Sequence, residues 1–396
     1  MTKRKKGAKN IEKYISSRIP ELTEAIRSIR ETLLANLILI GEIPAETFHE
    51  ERRNQALINR FSELGLLNTS IDEKYNGFGI LPGTQGDQNI LLVAHSDTVY
   101  SEKRDHALSI SPQEIVGPGV ADNSLGVAAL ATLPDIFKLL DIKLKNNLIL
   151  MSSASSLGRG NIEGLKFFLE NNDLPISAGL CVEGIELGRV SHVSMGMLRG
   201  EIVVKIPSEK EWSGFGNESA IMTLNEVINK INEIPVPRRP RSSIVLGRIE
   251  GGTEFNKKAI KAKLGFEVRS ESAEAVEEIG FLLEEAIAEV KSKTKDHISL
   301  DIFAKRKPGG IPFTHPLVRS ARIILEELEV SPRYEPSTSE LAGLIDSGIP
   351  ALTIGLTNST RMELETEQIE LEPVFGGLAQ LVTLILAIDG GYADEH

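Results

Sequence analysis

The chain has one cysteine, Cys181, and one tryptophan, Trp212, in 396 residues. A single thiol excludes an intramolecular disulfide and suits a reducing compartment. Cys181 lies in the apolar run 178–182 and reads as core filler. Basic charge is also in short supply. Lys and Arg number 44 against 56 Asp and Glu, a net charge of -12, which argues against non-specific nucleic-acid binding. No apolar stretch approaches the roughly 20 residues that a membrane helix needs. The opening MTKRKKGAKN is basic, but the first apolar run, Leu33 to Ile40, follows only after a long charged segment. A secretory signal would place that run directly behind the basic residues. A solvated basic tail on a cytoplasmic protein is expected, with neither nucleic acid nor membrane as a partner.

What is present is the balance of a soluble globular chain, long enough for two domains. A helical pattern covers residues 11–35, with a break or turn at Pro20, and a second helix covers Phe48 to Leu64. The run Asn89 to Ala94, NILLVA, has the continuous apolarity of a strand buried on both faces. A Gly/Pro loop, a helix from Ser124 to Leu140, a strand Leu148 to Met151, a helix Gly164 to Glu170 and a strand Gly179 to Val182 follow. This alternation predicts an α/β fold with a doubly wound, mostly parallel sheet. Between Arg199 and Phe303 the rhythm becomes β-α-β-β-α-β, the order of a ferredoxin-like domain. The α/β pattern then resumes, in a helix from His315 to Leu328, a strand Ala351 to Leu356 and a last helix Val374 to Ile388. The predicted organisation is one α/β domain, 1–198 and 307–396, with a ferredoxin-like α+β domain inserted at 199–306.

In such a sheet, ligands gather at the carboxyl ends of the strands. Those ends supply His95 and Asp97 from AHSDTV, Asp122 from the glycine-rich loop, and Glu183 from the strand near 179. The last strand feeds a loop reaching Glu363, Glu365 and Glu367. One His among carboxylates suits zinc, with Asp97 placed to accept the imidazole's other N–H. Singly, each residue has an ordinary explanation: a hydrogen-bonded core histidine, a helix N-cap, a strand-end surface charge. Together, at the correct ends of one sheet, they point to a site.

These residues resemble the dinuclear zinc peptidases and amidohydrolases, a family that includes tripeptidase T, aminoacylase, succinyl-diaminopimelate desuccinylase and the glutamate carboxypeptidases. The resemblance spans about Pro44 to Ile388. It rests on FHEERRNQALINRFSELGL, AHSDTV, GPGVADNSLGVAAL, VEGIELGRVSH, FGNESAI, GGTEFN with FEVRS, and PSTSELAGLIDSGIPALTIGL. It implies a metal-bearing α/β domain with a ferredoxin-like lid that dimerises. It also implies that His95, Asp122 and Glu183 hold one metal, with Asp122 bridging to a second and Asp97 orienting His95. Asn256 and Arg269 would contact a substrate carboxylate.

The same resemblance exposes what is missing. The family's Glu-Glu-Gly-x-Gly pattern aligns with Ser156-Leu157-Gly158-Arg159-Gly160, so Ser156 replaces the general base and Leu157 a metal ligand. Glu363 stands where the late His ligand belongs, and Lys210, in SEKEW, stands at the lid His. Serine has no usable pKa for taking a proton from water, and leucine cannot bind zinc. Three readings follow. The first is a catalytically impaired or silent homologue, holding one zinc or other divalent metal and a peptide-like or acyl-amino-acid ligand, with Lys210, Asn256 and Arg269 as ligand contacts. The second is an active hydrolase with a rebuilt site, using Glu363 as an oxygen ligand and Glu340 or Glu365 as base. The third is a dimeric scaffold. A homodimer through the lid is expected in each. Apart from Glu363, the acidic run ELETEQIELE reads as a solvated face, and Trp212 as a buried lid residue.

Overall fold

The computed structural model describes residues 19–207, 219–362 and 366–392. The chain divides into two compact units, Met1–Val193 with Gly310–His396, and Ser194–Gly309.

The first unit is built on a seven-stranded sheet. Its order is Leu67–Ile71, Gly77–Leu81, Asn147–Ser153, Asn89–His95, Ile176–Ile185, Ala351–Thr357, Val190–Ser191. The four strands from Asn147–Ser153 to Ala351–Thr357 pair in parallel, and both margins are antiparallel. The sheet is therefore mixed, which corrects the expectation of a mostly parallel one. The marginal strands are short: LNTSI is half-exposed, Val190–Ser191 has two residues, and the apolar GFGIL is interrupted by glycine, so periodicity does not flag them. The turn at 72–76 is also too short for anything but an antiparallel return.

The centre matches its sequence. Asn89–His95 is buried at all seven positions. From it the chain crosses through the helix Leu125–Leu139 to Asn147–Ser153 on one side. It then crosses through Glu163–Asn171 to Ile176–Ile185 on the other. Connections that leave in opposite directions open a crevice at the strands' carboxyl ends.

At the start of the described chain, Pro20 sits in the first turn of the helix Ile19–Arg27, and a second helix, Arg30–Gly41, follows. The helix Glu372–Asp389 is, among the described residues, long and apolar enough to cross a membrane, contrary to the reading that no stretch approaches that length. It lies in the core instead, with Val374, Leu378, Leu381, Leu384 and Ile385 fully buried. Each such side chain contributes about 1.5–3 kcal/mol of burial free energy. A small antiparallel sheet, ordered Ser359–Met362, Glu367–Glu370, Glu114–Gly117, Ser109–Ile110, completes the unit.

The second unit is a four-stranded antiparallel sheet ordered Ser242–Gly251, Lys261–Ser270, Gly196–Lys205, His297–Arg306, with helices Ala220–Asn232 and Ala273–Lys293. Ser219 and Ser272 cap those helices by accepting from Met222 and Ala275 N–H. Its core is Ile202, Val204, Leu224, Val227, Leu264, Phe266, Val268, Val276 and Leu283.

Candidate metal centre

His95 closes its strand at the crevice and is 3% exposed. Its Nε2 lies 2.9 Å from Asp122 Oδ1 and 3.8 Å from Glu183 Oε2. Ligand atoms of the three residues all fall within 4.8 Å of one another, and among the described residues no other group of three His, Cys, Asp or Glu does so. Zinc bonds of about 2.0–2.2 Å in a tetrahedron put ligand atoms roughly 3.3–3.6 Å apart. The 2.9 and 3.8 Å separations bracket that edge, and Asp122, with its side chain 44% exposed, keeps one side open. The donor set and its spacing fit one divalent ion.

The surrounding backbone explains the convergence. Gly119, at φ 65°, turns the chain into the loop that carries Asp122. Asn123 then ties this loop to the residues on either side of Glu183. Its Nδ2 donates to Val182 O at 2.8 Å, and its Oδ1 accepts from Gly184 N at 2.8 Å. Gly126 permits the approach, since a Cβ there would lie 2.2 Å from Asn123 Oδ1 and 2.6 Å from Val182 O. Beneath the site, the fully buried Arg53 donates to the carbonyls of Ile43 and Ser96 and to Ser124 Oγ. Burial lowers its pKa to about 10.

Asp97 faces His95 with one carboxylate oxygen and the loop at 155–157 with the other. The imidazole Nδ1 is nearest Asp97's backbone carbonyl, at 3.1 Å, and its Oδ1 is 3.4 Å away. Oδ2 instead accepts from Thr47 Oγ1 at 2.9 Å, Ser156 N at 3.1 Å and Leu157 N at 2.8 Å. The preceding amide, Ser155 N, donates to Glu50 Oε1 at 2.8 Å, and Ser155 is in the left-handed region at φ 53°. Three successive N–H groups thus form a small anion nest whose anions are the protein's own carboxylates. Residues 156 and 157 are thus held by their backbone amides. Ser156 Oγ donates to Glu340 Oε1, as Ser153 Oγ does at 3.2 Å, and Glu340 is 1% exposed. Ser339 Oγ reaches Glu183 Oε1 at 3.4 Å.

Charge is unbalanced at this corner. Burial raises the Glu183 pKa, and with Asp122 and Glu340 nearby it reaches about 7, although His95 and Arg189 oppose the rise. Burial opposes protonation of His95, but its hydrogen bonds to Asp122 and Asp97 outweigh this and hold its pKa well above the ordinary value. Desolvation in the crevice, from which the Asp122 side chain is only partly open, pushes its pKa up, but the His95 contact outweighs this and leaves Asp122 below the usual range.

The other singled-out residues lie elsewhere. Asn256 is exposed in a loop of the second unit, and Arg269, on the strand Lys261–Ser270, donates to Glu267. Lys210, Trp212, Glu363 and Glu365 lie outside the described residues. Sequence reasoning missed Glu50 and Arg53, and it placed Glu367 on a solvated face. Glu367 is 4% exposed, which corrects that placement. Its strand alternates, with Glu367, Ile369 and Leu371 buried, and that period of two was the available signal. For Glu50 and Arg53 the signal was the i, i+3, i+4 series Glu50, Arg53, Asn54, Leu57, Ile58, Phe61, every member of which is buried.

Two segments of the chain match known family profiles. Residues 76–154 match Peptidase family M28, and residues 195–295 match the Peptidase dimerisation domain. No curated protein sequence matches the chain. Among solved structures, aminopeptidase PepT from Bacillus cereus is 19% identical with TM-score 0.66, covering 90% of this chain and 98% of its own. A dipeptidase from Saccharomyces cerevisiae is 12% identical with TM-score 0.78, covering 95% and 99%. Human carnosine dipeptidase 1 is 13% identical with TM-score 0.76, covering 94% and 99%. The likeness to these structures is one of fold.

Proposed function

We propose that this chain, which resembles the dinuclear-metal peptidases and amidohydrolases in fold and in two matched segments, is a one-metal, hydrolytically silent relative of them. His95, Asp122 and Glu183 would hold a single zinc or similar divalent ion, and the crevice would bind a peptide-like or acyl-amino-acid ligand. Zinc, when bound, supplies Lewis acidity toward a carbonyl. Hydrolysis needs in addition a group that takes a proton from water, within hydrogen-bond reach. The observation that carries the reading is the state of residues 156 and 157. Ser156 and Leu157 offer no carboxylate, their amides are spent on Asp97, and the Ser156 hydroxyl is spent on Glu340.

The second unit is read as a ferredoxin-like lid and dimerisation domain, with domain limits at 199–306. Its strand order and its match to a peptidase dimerisation domain support this. The edge strand Ser242–Gly251 carries Ile249 at 63% exposure, and the helix Ala220–Asn232 carries Ile221 and Met222, both also exposed. An unpaired strand edge beside exposed apolar residues suits pairing with a second copy of the chain. Lys210, Asn256 and Arg269 are the proposed ligand contacts of this unit, and a cytoplasmic location is part of the same proposal.

Elemental analysis of the chain purified without chelator, and again after zinc loading, tests the reading. One metal per chain is expected, with no turnover of dipeptides or N-acyl amino acids. The alternative, an active hydrolase with Glu363 as a ligand, draws on the buried Glu340 beside Ser156 as a base. Two metals per chain, with turnover abolished by chelator and by Asp122→Ala, would establish that alternative.

A further inference from the structure

We propose that Glu367 is a positioning residue that fixes the backbone of Asp122 and so sets the metal ligand in place. The assignment of Asp122 as a ligand rests on the one-metal reading above. The fixing of its backbone does not.

Glu367 opens the strand Glu367–Glu370, which pairs with Glu114–Gly117 in the register Glu367↔Gly117. Gly117 ends its strand two residues before the turn at Gly119, so one ladder pairing delivers both the carboxylate and the loop it grips. Oε2 accepts from Ala121 N at 2.8 Å and from Asp122 N at 3.0 Å. Oε1 accepts from the Tyr100 hydroxyl at 3.1 Å. Tyr100 is buried, and the Arg104 guanidinium lies 5.1 Å over its ring. Tyr100 itself follows the His95–Asp97 segment by three residues, so this contact also links the loop of Asp122 to the chain leaving His95.

Three donors converging on two oxygens demand a group that only accepts, and an ionised carboxylate is such a group. Its bonds to N–H are charge-assisted and among the stronger ones in proteins. A glutamine would keep one acceptor oxygen and introduce two donors. Moreover, a carboxylate buried beside Asp122 works against that residue's own charge, so the arrangement is costly unless the backbone grip and a bound cation offset it. Backbone bonds span the loop from its ends, Ser124 N donating to Gly119 O at 3.0 Å and Leu125 N to Val120 O, and leave the Ala121 and Asp122 amides to a side chain. Asp122 and Asn123 have non-helical dihedrals, φ -126° and -138°, so side chains must supply the restraint.

The test uses the full chain and three variants, Glu367→Ala, Glu367→Gln and Tyr100→Phe. Hydrogen–deuterium exchange, read by mass spectrometry, follows the 117–124 segment against 89–95 and 367–371 in the metal-free protein. Calorimetric titration with zinc chloride follows affinity. In Glu367→Ala, exchange at 117–124 should rise about tenfold or more while 89–95 is unchanged, and zinc affinity should fall about tenfold, the equivalent of one strong hydrogen bond lost. Glu367→Gln should lie between this variant and the parent, and Tyr100→Phe should change affinity by less than about threefold, since it removes a neutral donor and leaves both backbone contacts. Exchange at 117–124 within about twofold of the parent, in Glu367→Ala or, if that variant does not fold, in Glu367→Gln, overturns the proposal. So does unchanged zinc affinity where the parent binds zinc. If the parent binds no zinc, the one-metal reading has failed and the exchange result alone decides the role of Glu367.

Discussion

Two neighbouring corners of the crevice differ in how they handle charge. At the ends of Asn89–His95 and Ile176–Ile185, His95, Asp122 and Glu183 gather ligand atoms whose charges do not balance, with Asp122 open on one side. At the end of the adjacent strand Asn147–Ser153, most polar groups are turned inward, with Ser152 Oγ, Asp97 Oδ1 and Glu50 Oε2 left without a hydrogen-bond partner among the described residues. The amides of 155–157 go to Glu50 and Asp97, and the hydroxyls of Ser153 and Ser156 go to Glu340. The first corner is unfinished without a cation, whereas the second spends its amides and the Ser153 and Ser156 hydroxyls on the protein's own carboxylates. A polar cluster that satisfies itself has lost the capacity to satisfy a ligand. The contrast is between carboxylates left for an ion and amides and hydroxyls already engaged within the protein.

The contrast breaks most readily at the first corner. Asp122→Ala should reduce zinc affinity by about 100-fold or more, since it removes a charged ligand from a three-residue set. Ser156→Ala should leave the stoichiometry at one. An unchanged titration in Asp122→Ala would place the ion elsewhere.

Acidity should act next. Glu183 titrates near pH 7, above its ordinary value, and His95 holds a proton more tightly than usual. Both signs agree. The raised Glu183 favours the metal-free fold while it is protonated, and that contribution fades as pH rises from its unfolded value through about 7. The raised His95 stabilises the metal-free fold below its unfolded pKa, and this is lost as pH rises through its folded pKa. Zinc must displace both protons. The rise in melting temperature produced by zinc should therefore grow from pH 5.5 to pH 7.5, with affinity changing roughly tenfold per pH unit for each proton displaced. A flat profile would mean that neither group binds the ion.

The second corner should respond in stability alone. Ser156→Ala leaves Glu340 with the Ser153 hydroxyl and should cost about 1–2 kcal/mol, measured by denaturant unfolding.

The smallest effect is expected at Glu50, whose pKa is raised chiefly by burial. The ionised form is penalised in the fold, so stability from this group declines as pH climbs above its unfolded value. Glu50→Gln keeps an acceptor for Phe48 and Ser155 N–H. Its stability relative to the parent should rise between pH 4.5 and pH 8, measured by denaturant unfolding at both. A gain of equal size at both pH values would remove ionisation as the cause.

The legible parts of the molecule are those where one residue type meets one local signal. NILLVA could only be a buried strand, and His95, Asp122 and Glu183 follow apolar runs or a glycine-rich loop that place them at strand ends. The βαββαβ rhythm of the second unit appears in the same way. Illegible were interactions made at long range by residues whose local context reads as surface. Glu367 sits in a run of acids, yet it reaches Ala121 and Asp122 across 245 or more positions. Arg53 looks like one charge among several in EERRN, yet its guanidinium lies under the site. The antiparallel margins were missed because half-exposed strands such as LNTSI carry too little apolar contrast to register.

The side chain of Asn123 has a kinetic consequence. Because it clasps the carbonyl before Glu183 and the amide after it, the gap between Glu183 and Asp122 is set by a neutral amide before any ion arrives. Capture then requires little ordering of the chain, so its rate should be governed by shedding of the ion's own hydration shell. A chelator should in turn strip the ion and leave an empty but intact cradle, ready for the next one.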